Sequence, residues 1–140
     1  MISRNLIVVF IFLGFSASAQ RVVRKYFDPQ KRQLQEEYTV SKQDNETLDG
    51  AYKRYYPNGH TEVEGIFSDG YRSGFFSEYN EEGTLVRKIN YLNGKRHGPV
   101  EIYDDNGILI QRAFYQNNLL VDSIHSFFES GVIKSESYFS

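Results

Sequence analysis

A repeat of 24 residues runs from Gly50 to the end of this 140-residue chain. Three sets of residues return at that interval without a slip: the glycines Gly59, Gly83, Gly107 and Gly131, the aromatics Tyr55, Tyr79, Tyr103 and Phe127, and the aromatics Phe67, Tyr91, Tyr115 and Phe139. Repeat units bury their apolar faces against their neighbours, so this regularity predicts a repeat architecture before any single residue is considered. It also argues against an enzyme, because a catalytic site gathers unlike residues at one place.

The first 19 residues have the form of a secretory signal. Arg4 supplies a positive charge, Leu6 to Phe15 form a nearly uninterrupted apolar run, and Ala17-Ser18-Ala19 has the small residues that signal peptidase accepts. The run of about ten residues is shorter than the roughly 20 that span a bilayer, which disfavours a membrane anchor. No cysteine follows it, which disfavours a lipoprotein. We therefore predict cleavage between Ala19 and Gln20 and an exported protein, whether periplasmic, on the outer surface or secreted.

The composition of the mature chain limits its partners. Cleavage removes one charged residue, Arg4, so 15 of the 16 basic residues remain against 18 acidic ones, a net charge of −3. This balance gives no reason to expect nucleic acid or an anionic membrane surface as the partner. The chain has no cysteine, so it has no disulfides and is held by packing alone.

Each repeat contains two short segments of aromatic and β-branched residues joined by a glycine turn, which is the pattern of a β-hairpin. The opening segments are residues 50–59, 74–83, 98–107 and 122–131, and the return segments are residues 61–67, 85–91, 109–115 and 133–139. We predict an all-β fold, an elongated single-layer antiparallel meander of consecutive hairpins. With strands about 4.8 Å apart, four units would reach on the order of 40 Å.

The turn within each hairpin is predicted from Pro57-Asn58-Gly59. Proline has φ near −65° and glycine accepts positive φ, so this triplet suits a type I turn closed by a left-handed glycine. The same position is held by Gly83, Gly107 and Gly131. Between hairpins, Asp69-Gly70 and Asn93-Gly94 are followed four residues later by Gly74 and Gly98. We assign Gly74 and Gly98 to the links that join hairpins.

Both ends of the array depart from the pattern. The third link, Asn117-Asn118 to Asp122, lacks the glycines of the others, which suits a terminal repeat with one side facing solvent. Before the array, Lys25 to Gln30 echoes Arg54 to Gly59, and Leu34 to Val40 could be its return strand. We therefore divide the chain into a signal at 1–19, a degenerate N-terminal hairpin and loop at 20–49, and a repeat domain at 50–140.

Alternation along the return segments assigns side chains to the two faces of the sheet. One parity holds the columns headed by Thr61, Gly65 and Phe67, and the other holds a charged column that we expect to be solvated. That column is Glu64, Lys88, Arg112 and Glu136. In the opening segments, the apolar columns headed by Tyr52 and Tyr55 lie three residues apart and have opposite parity. Either a bulge flips that strand or both faces are partly covered.

Three opening segments and their links resemble MORN repeat variants. They are Gly50 to Gly59, Gly74 to Gly83 and Gly98 to Gly107, with the pattern G-x-[YF]-x-x-Y-x-x-x-G and Val100 replacing one aromatic. The resemblance extends over roughly residues 51–139. It implies an elongated sheet used for interaction or scaffolding and no catalytic residues. Relatives of this type include exported bacterial proteins, some of which carry an antitoxin label.

We predict no catalytic, cofactor-binding or metal-binding residues. The histidines His60, His97 and His125 stand at three different positions of the repeat, whereas metal ligands must converge within about 2 Å of one ion. We interpret all three as surface residues. The adjacent carboxylates Asp104-Asp105, Glu81-Glu82 and Glu36-Glu37 sit at predicted turns or strand ends, where neighbouring side chains face apart. The basic run Lys95-Arg96-His97 is not repeated in the other links, so a lipid-binding stripe is not expected.

The candidate interaction residues are Tyr55, Tyr79, Tyr103 and Phe127. These aromatics could be the core, each ring packing on the equivalent ring of the next hairpin, or a stacking platform for a peptide or sugar chain with one flank open. We predict a non-catalytic protein-interaction or scaffold module of the bacterial envelope, whose partner is another protein or an envelope polymer. The alternatives are an antitoxin or immunity protein and a glycan-binding module that uses the tyrosines. An open sheet also has two edge strands, and we expect charged ends, such as Lys134 and Glu136, to oppose their pairing.

Overall fold

The fold is described from a computed structural model that covers residues 20–121 and 123–138. The predictions for the signal at 1–19, for Asp122 and for Phe139 therefore lie outside the described residues. The covered chain forms strands and no helix. The strands are β1 Arg21–Tyr26, β2 Leu34–Val40, β3 Leu48–Tyr55, β4 Thr61–Ser68, β5 Tyr71–Tyr79, β6 Leu85–Leu92, β7 Lys95–Tyr103, β8 Leu109–Gln116, β9 Leu119–Leu120, β10 Ile124–Phe127 and β11 Ile133–Ser137.

These strands make one antiparallel sheet in chain order. The order is β1-β2-β3-β4-β5-β6-β7-β8-β10-β11, and the short β9 pairs with β8 beside this path. The predicted all-β, single-layer meander of hairpins is thereby confirmed. Ten strands about 4.8 Å apart give the sheet a length of roughly 43 Å.

The turn at Gly59 has the geometry that its sequence predicts. The Gly59 N–H donates to the Tyr56 carbonyl at 2.9 Å, and the Tyr56 N–H donates to the His60 carbonyl at 2.8 Å. Gly59 has a φ of +89°, which a residue with a Cβ adopts only with strain. The same two hydrogen bonds and a positive φ recur at Gly83, Gly107 and Gly131.

The links between hairpins are tighter than the sequence analysis predicts. Asp69-Gly70, Asn93-Gly94 and Asn117-Asn118 each have positive φ at both residues, as in two-residue type I′ turns. Gly74 and Gly98 therefore lie outside the links, and their assignment to the links is wrong. They lie inside β5 and β7, at points where the opening strand bulges against the return strand of the preceding hairpin. A link of more than two residues is not needed, because a type I′ turn already matches the twist of the strands that it joins.

A bulge in the return strand settles the parity of the opening strand. Arg54 pairs with Val63 and Tyr55 pairs with Thr61, so Glu62 is an extra residue in β4. The same register shift precedes Tyr79, Tyr103 and Phe127 in the later hairpins. Because the opening strand is regular at this point, residues three apart in it stay on opposite faces. Both faces of the sheet are therefore partly covered.

The bulge also corrects one face assignment. Thr61 lines a depression together with Glu64 and Tyr79, so it lies on the face of the charged column. The sequence pattern places Thr61 with Gly65 and Phe67 because it counts parity through Glu62, and the extra residue reverses that count. We call the face of Phe67 the core face and the face of Glu64 the charge face.

The core is a narrow apolar band on the core face. Its most buried members are Val40, Val63, Phe76, Ile89 and Ala113. Phe76 is 1% exposed, and its ring makes edge-to-face contacts with Phe67 and Tyr91 at centroid distances of 5.4 Å. Tyr52 extends this series through Phe67 at 5.5 Å. Arg72 covers the outer side of the Phe76 ring, with its guanidinium 4.8 Å from the ring centroid. The ring is therefore shielded from water without a second layer of structure.

The N-terminal segment adds two strands to the same sheet. Its return strand β2 has the bounds that the sequence predicts and pairs with β3 on its far side. The following loop is fixed by Asp44, which accepts hydrogen bonds from the Thr47 hydroxyl and from the backbone N–H groups of Glu46 and Thr47. These bonds stabilise the carboxylate and lower the pKa of Asp44 to about 2.

The last repeat is shorter than the others, as its lost glycines predict. β10 has four residues and joins β8 through only two residue pairs, His125 with Arg112 and Ser126 with Gln111. All five residues of β11 are exposed. The C-terminal end of the sheet therefore has short, exposed strands with few pairs between β8 and β10.

Candidate interaction face

A single row of mostly charged residues crosses the charge face from one edge of the sheet to the other. Every member is the register partner of the next, through all ten strands of the main path. We call it the charge row; its members are Arg24, Glu37, Lys53, Glu64, Ser77, Lys88, Glu101, Arg112, His125 and Glu136. The sign of charge alternates along the row wherever both neighbours are charged residues. Between β1 and β4 and between β6 and β8, every strand thus meets opposite charge along this row.

Several neighbours in the charge row form ion pairs. The distances are 2.5 Å for Arg24 Nε to Glu37 Oε2, 2.9 Å for Lys53 Nζ to Glu64 Oε2, and 2.8 Å for Arg112 Nη2 to Glu101 Oε1. These side chains are partly exposed, and such pairs typically contribute about 0.2–1 kcal/mol each. A row of them is weak as a source of stability. It favours one register, since a slip by one residue would turn the charged side chains of one strand toward the core face of its neighbour.

Two of the predicted interaction residues are anchored to the charge row. The Tyr79 hydroxyl donates to Glu64 Oε1 at 2.7 Å, and the Tyr103 hydroxyl donates to Glu101 Oε2 at 2.8 Å. Burial and the hydrogen bond to Glu101 raise the pKa of Tyr103 to about 12. Burial and Glu64 raise the pKa of Tyr79 as well. Both tyrosines are therefore neutral donors held in fixed positions.

Tyr55 and Phe127 occupy the equivalent positions of the first and last repeats and are half-buried like the other two. The aromatic pairs of the described residues belong to a different set, Tyr52, Phe67, Phe76 and Tyr91. The interpretation of the Tyr55 column as a core of stacked equivalent rings is therefore wrong. Tyr55 follows Lys53 by two residues in the regular opening strand, so alternation places the column on the charge face, away from the apolar band.

An exposed apolar patch lies beside the middle of the charge row, at positions outside the predicted interaction residues. Ile66 is 56% exposed and Phe75 is 47% exposed. They line one depression of about 260 Å³ together with Lys53 and Glu64. Lys88 Nζ lies 4.3 Å from the centre of the Phe75 ring. The available signal was two apolar residues at positions where the face is otherwise charged or polar.

The core face carries a groove at its N-terminal end. This groove of about 370 Å³ is lined by Lys25, Glu36, Tyr38, Glu46, Leu48, Tyr52, Phe67 and Arg72. Burial opposes the ionisation of Glu36, but hydrogen bonds from Lys25 and Tyr52 outweigh it and lower the pKa of this carboxyl. The polar side chains that line this groove are thus largely hydrogen-bonded to one another.

The last hairpin contains a serine, a histidine and a carboxylate in contact. Ser123 Oγ lies 2.7 Å from His125 Nε2, and Glu136 Oε1 lies 2.6 Å from that same nitrogen. A serine hydrolase requires the carboxylate on the other ring nitrogen, so that the histidine can take the serine proton. Ser123 is also only 2% exposed. This cluster is structural: it joins β10 to β11, and the partly exposed His125 is held by it.

The other histidines are placed apart from this cluster. His60 Nδ1 contacts the Glu81 carbonyl at 2.6 Å, and His97 lies at the other end of the repeat in β7. Within the covered ranges, no three histidine or acidic side chains form a group suited to a metal ion. No helix of residues 20–121 and 123–138 has the length and apolar character needed to cross a membrane.

An open sheet of near-identical hairpins, with its core on one face and a charge row on the other, defines a β-hairpin repeat protein of the kind that acts through its surface. The sequence profile of the MORN repeat variant family matches residues 48–69, 74–93 and 96–117. The chain belongs to the MORN repeat variant family. Its repeats indicate an interaction module, and the family is generally non-enzymatic. No curated protein and no solved structure matches the chain.

Proposed function

We propose that this protein is an exported, non-catalytic interaction module that docks a protein partner on its charge face. The observation that carries the proposal is the exposed pair Ile66 and Phe75 set against the charge row. Protein interfaces combine an apolar centre with a charged rim, and this patch has both. The ion pairs and tyrosines around it are already fixed by hydrogen bonds, so little side-chain entropy remains to be lost on docking.

A retention experiment with matched variants tests the docking face. Immobilised protein is incubated with a cell-envelope fraction, and bound proteins are identified by mass spectrometry. We expect a protein retained by the wild type to be lost with the double variant Ile66→Ser, Phe75→Ser. The control Leu119→Ser removes a residue that is 71% exposed at a link turn and should retain the same protein. Retention should also weaken with salt, since the rim is charged.

Unchanged retention by the double variant would overturn the docking face. A retained toxin would identify the protein as an antitoxin, which is one form of the same docking. Replacing each of these half-exposed side chains, Ile66 and Phe75, should change stability by no more than about 1 kcal/mol, so thermal unfolding separates lost docking from lost folding.

Export is the second part of the proposal, and it rests on the charge, apolar run and small residues of positions 1–19. Intact-mass measurement of the protein recovered outside the cytoplasm should give a chain that begins at Gln20. A chain that retains residues 1–19, or that stays in the cytoplasmic fraction, would contradict this part and leave the docking face untouched.

A further inference from the structure

The sheet has two edge strands. In the described part of the chain, β1 has a neighbouring strand only in β2, and β11 only in β10. The outer backbone N–H and C=O groups of an edge strand are a template for another strand. With six residues in β1 and five in β11, the two edges have similar lengths.

Strand direction makes the two edges complementary. The main path contains ten antiparallel strands, so β1 and β11 run in opposite directions. A second copy placed beyond β11 in the same orientation would present its β1 antiparallel to β11. The alternation of the sheet would then continue across the joint without interruption.

The charge row ends with opposite signs at the two edges. Arg24 stands at the β1 edge and is paired on its inner side with Glu37. Glu136 stands at the β11 edge and is paired on its inner side with His125. Placing Glu136 opposite Arg24 of another copy would extend the row by one more pair of opposite sign. In that register Ser135 faces Lys25, so no like charges stand directly opposite each other.

We infer that a second copy of this chain binds head to tail, with β1 of one copy pairing with β11 of the other. The contact is heterologous, so it leaves one free edge at each end and further copies add in the same way. This inference reverses the expectation that the charged ends oppose pairing. It is independent of the docking face, because it uses the edges of the sheet.

Charge reversal at each edge tests the contact. Sedimentation velocity of the purified wild type over a concentration series should show association. Arg24→Glu sets two carboxylates against each other at the joint, and Glu136→Arg sets two guanidinium groups against each other. Each variant alone should therefore associate at least about tenfold more weakly. An equimolar mixture of the two variants should recover association. In the mixture, β11 of the Glu136→Arg variant can pair with β1 of the Arg24→Glu variant, and the two edge charges then again have opposite signs.

Glu37→Gln is the matched control, because it removes the internal partner of Arg24 and leaves the edge charge in place. It should associate like the wild type. A wild type that stays monomeric at every concentration would overturn the inference. So would single variants that associate normally, or a mixture that fails to recover although circular dichroism shows both variants folded. Pairing of β1 with β1 would leave association of the Glu136→Arg variant unchanged, which also contradicts the head-to-tail contact.

Discussion

Phe76→Ala is expected to lower the free energy of unfolding by about 3–5 kcal/mol. Phe76 is 1% exposed and contacts Phe67 and Tyr91 edge to face, so its ring joins two successive hairpins. The apolar band has few fully buried members, and no second layer can move in to fill the space. The cavity left by the missing ring would therefore stay open. Urea unfolding followed by circular dichroism measures the loss.

Phe75→Ala is the control for this experiment. Phe75 precedes Phe76 in β5 and has the same side chain, but it lies on the charge face and is 47% exposed. We expect its replacement to change stability by no more than about 1 kcal/mol, because about half of this side chain is already in water and less apolar burial is lost. Equal losses from the two substitutions would contradict the assignment of the core to the face of Phe76.

Gly65→Ala is expected to destabilise the protein by about 1–3 kcal/mol, although alanine is the better strand residue. A Cβ at Gly65 would lie 2.7 Å from three atoms of the Phe76 ring. The ring cannot turn aside, since Phe67, Tyr91 and Arg72 enclose it. Gly65 is absent from the glycines with positive φ, so the cost is steric and comes from the neighbouring strand.

A double-mutant cycle separates this clash from a general intolerance of the position. The equivalent residues are Ile89 and Ala113, and the residue equivalent to Phe76 in the third repeat is Val100. Phe76→Val should therefore make room for a side chain at position 65, so Gly65→Ala should cost less in that background. Additive losses in the two single variants and the double variant would show that Phe76 is not the obstacle.

Much of the fold follows from local chemistry. The turn that contains Gly59 depends on a few neighbouring residues, one of which must accept positive φ. The type I′ turns depend on two adjacent residues. Both kinds of turn can therefore be recognised in a single sequence. The polar and apolar alternation of each return segment likewise reflects neighbours in one strand. The hairpins, the single-layer sheet and the likeness to MORN repeat variants could be predicted from these features. The expectations for residues 1–19 rest on the sequence and stay predictions.

The candidate site depended on pairing between strands. Read as columns, Lys53, Ser77, Glu101 and His125 show no common charge, and the column of Glu64 has both signs. Their alternation exists only across strands, where Lys53 meets Glu64 and Glu101 meets Arg112. The 24-residue period gives the position of each of these residues in its repeat. It does not give the residue on the adjacent strand that each one faces.

The sequence by itself determined a period, its turns and the strands between them, because glycine, proline and asparagine act on the backbone where they stand. The tertiary structure decided which aromatics form the core. An extra residue in each return strand, Glu62 in the first repeat, carries no residue type that marks it, and yet it places Thr61 on the face opposite to the one that alternation predicts. Register between strands is set by packing that joins distant residues, and for that reason the Tyr55 column became a surface and Phe76 became the core.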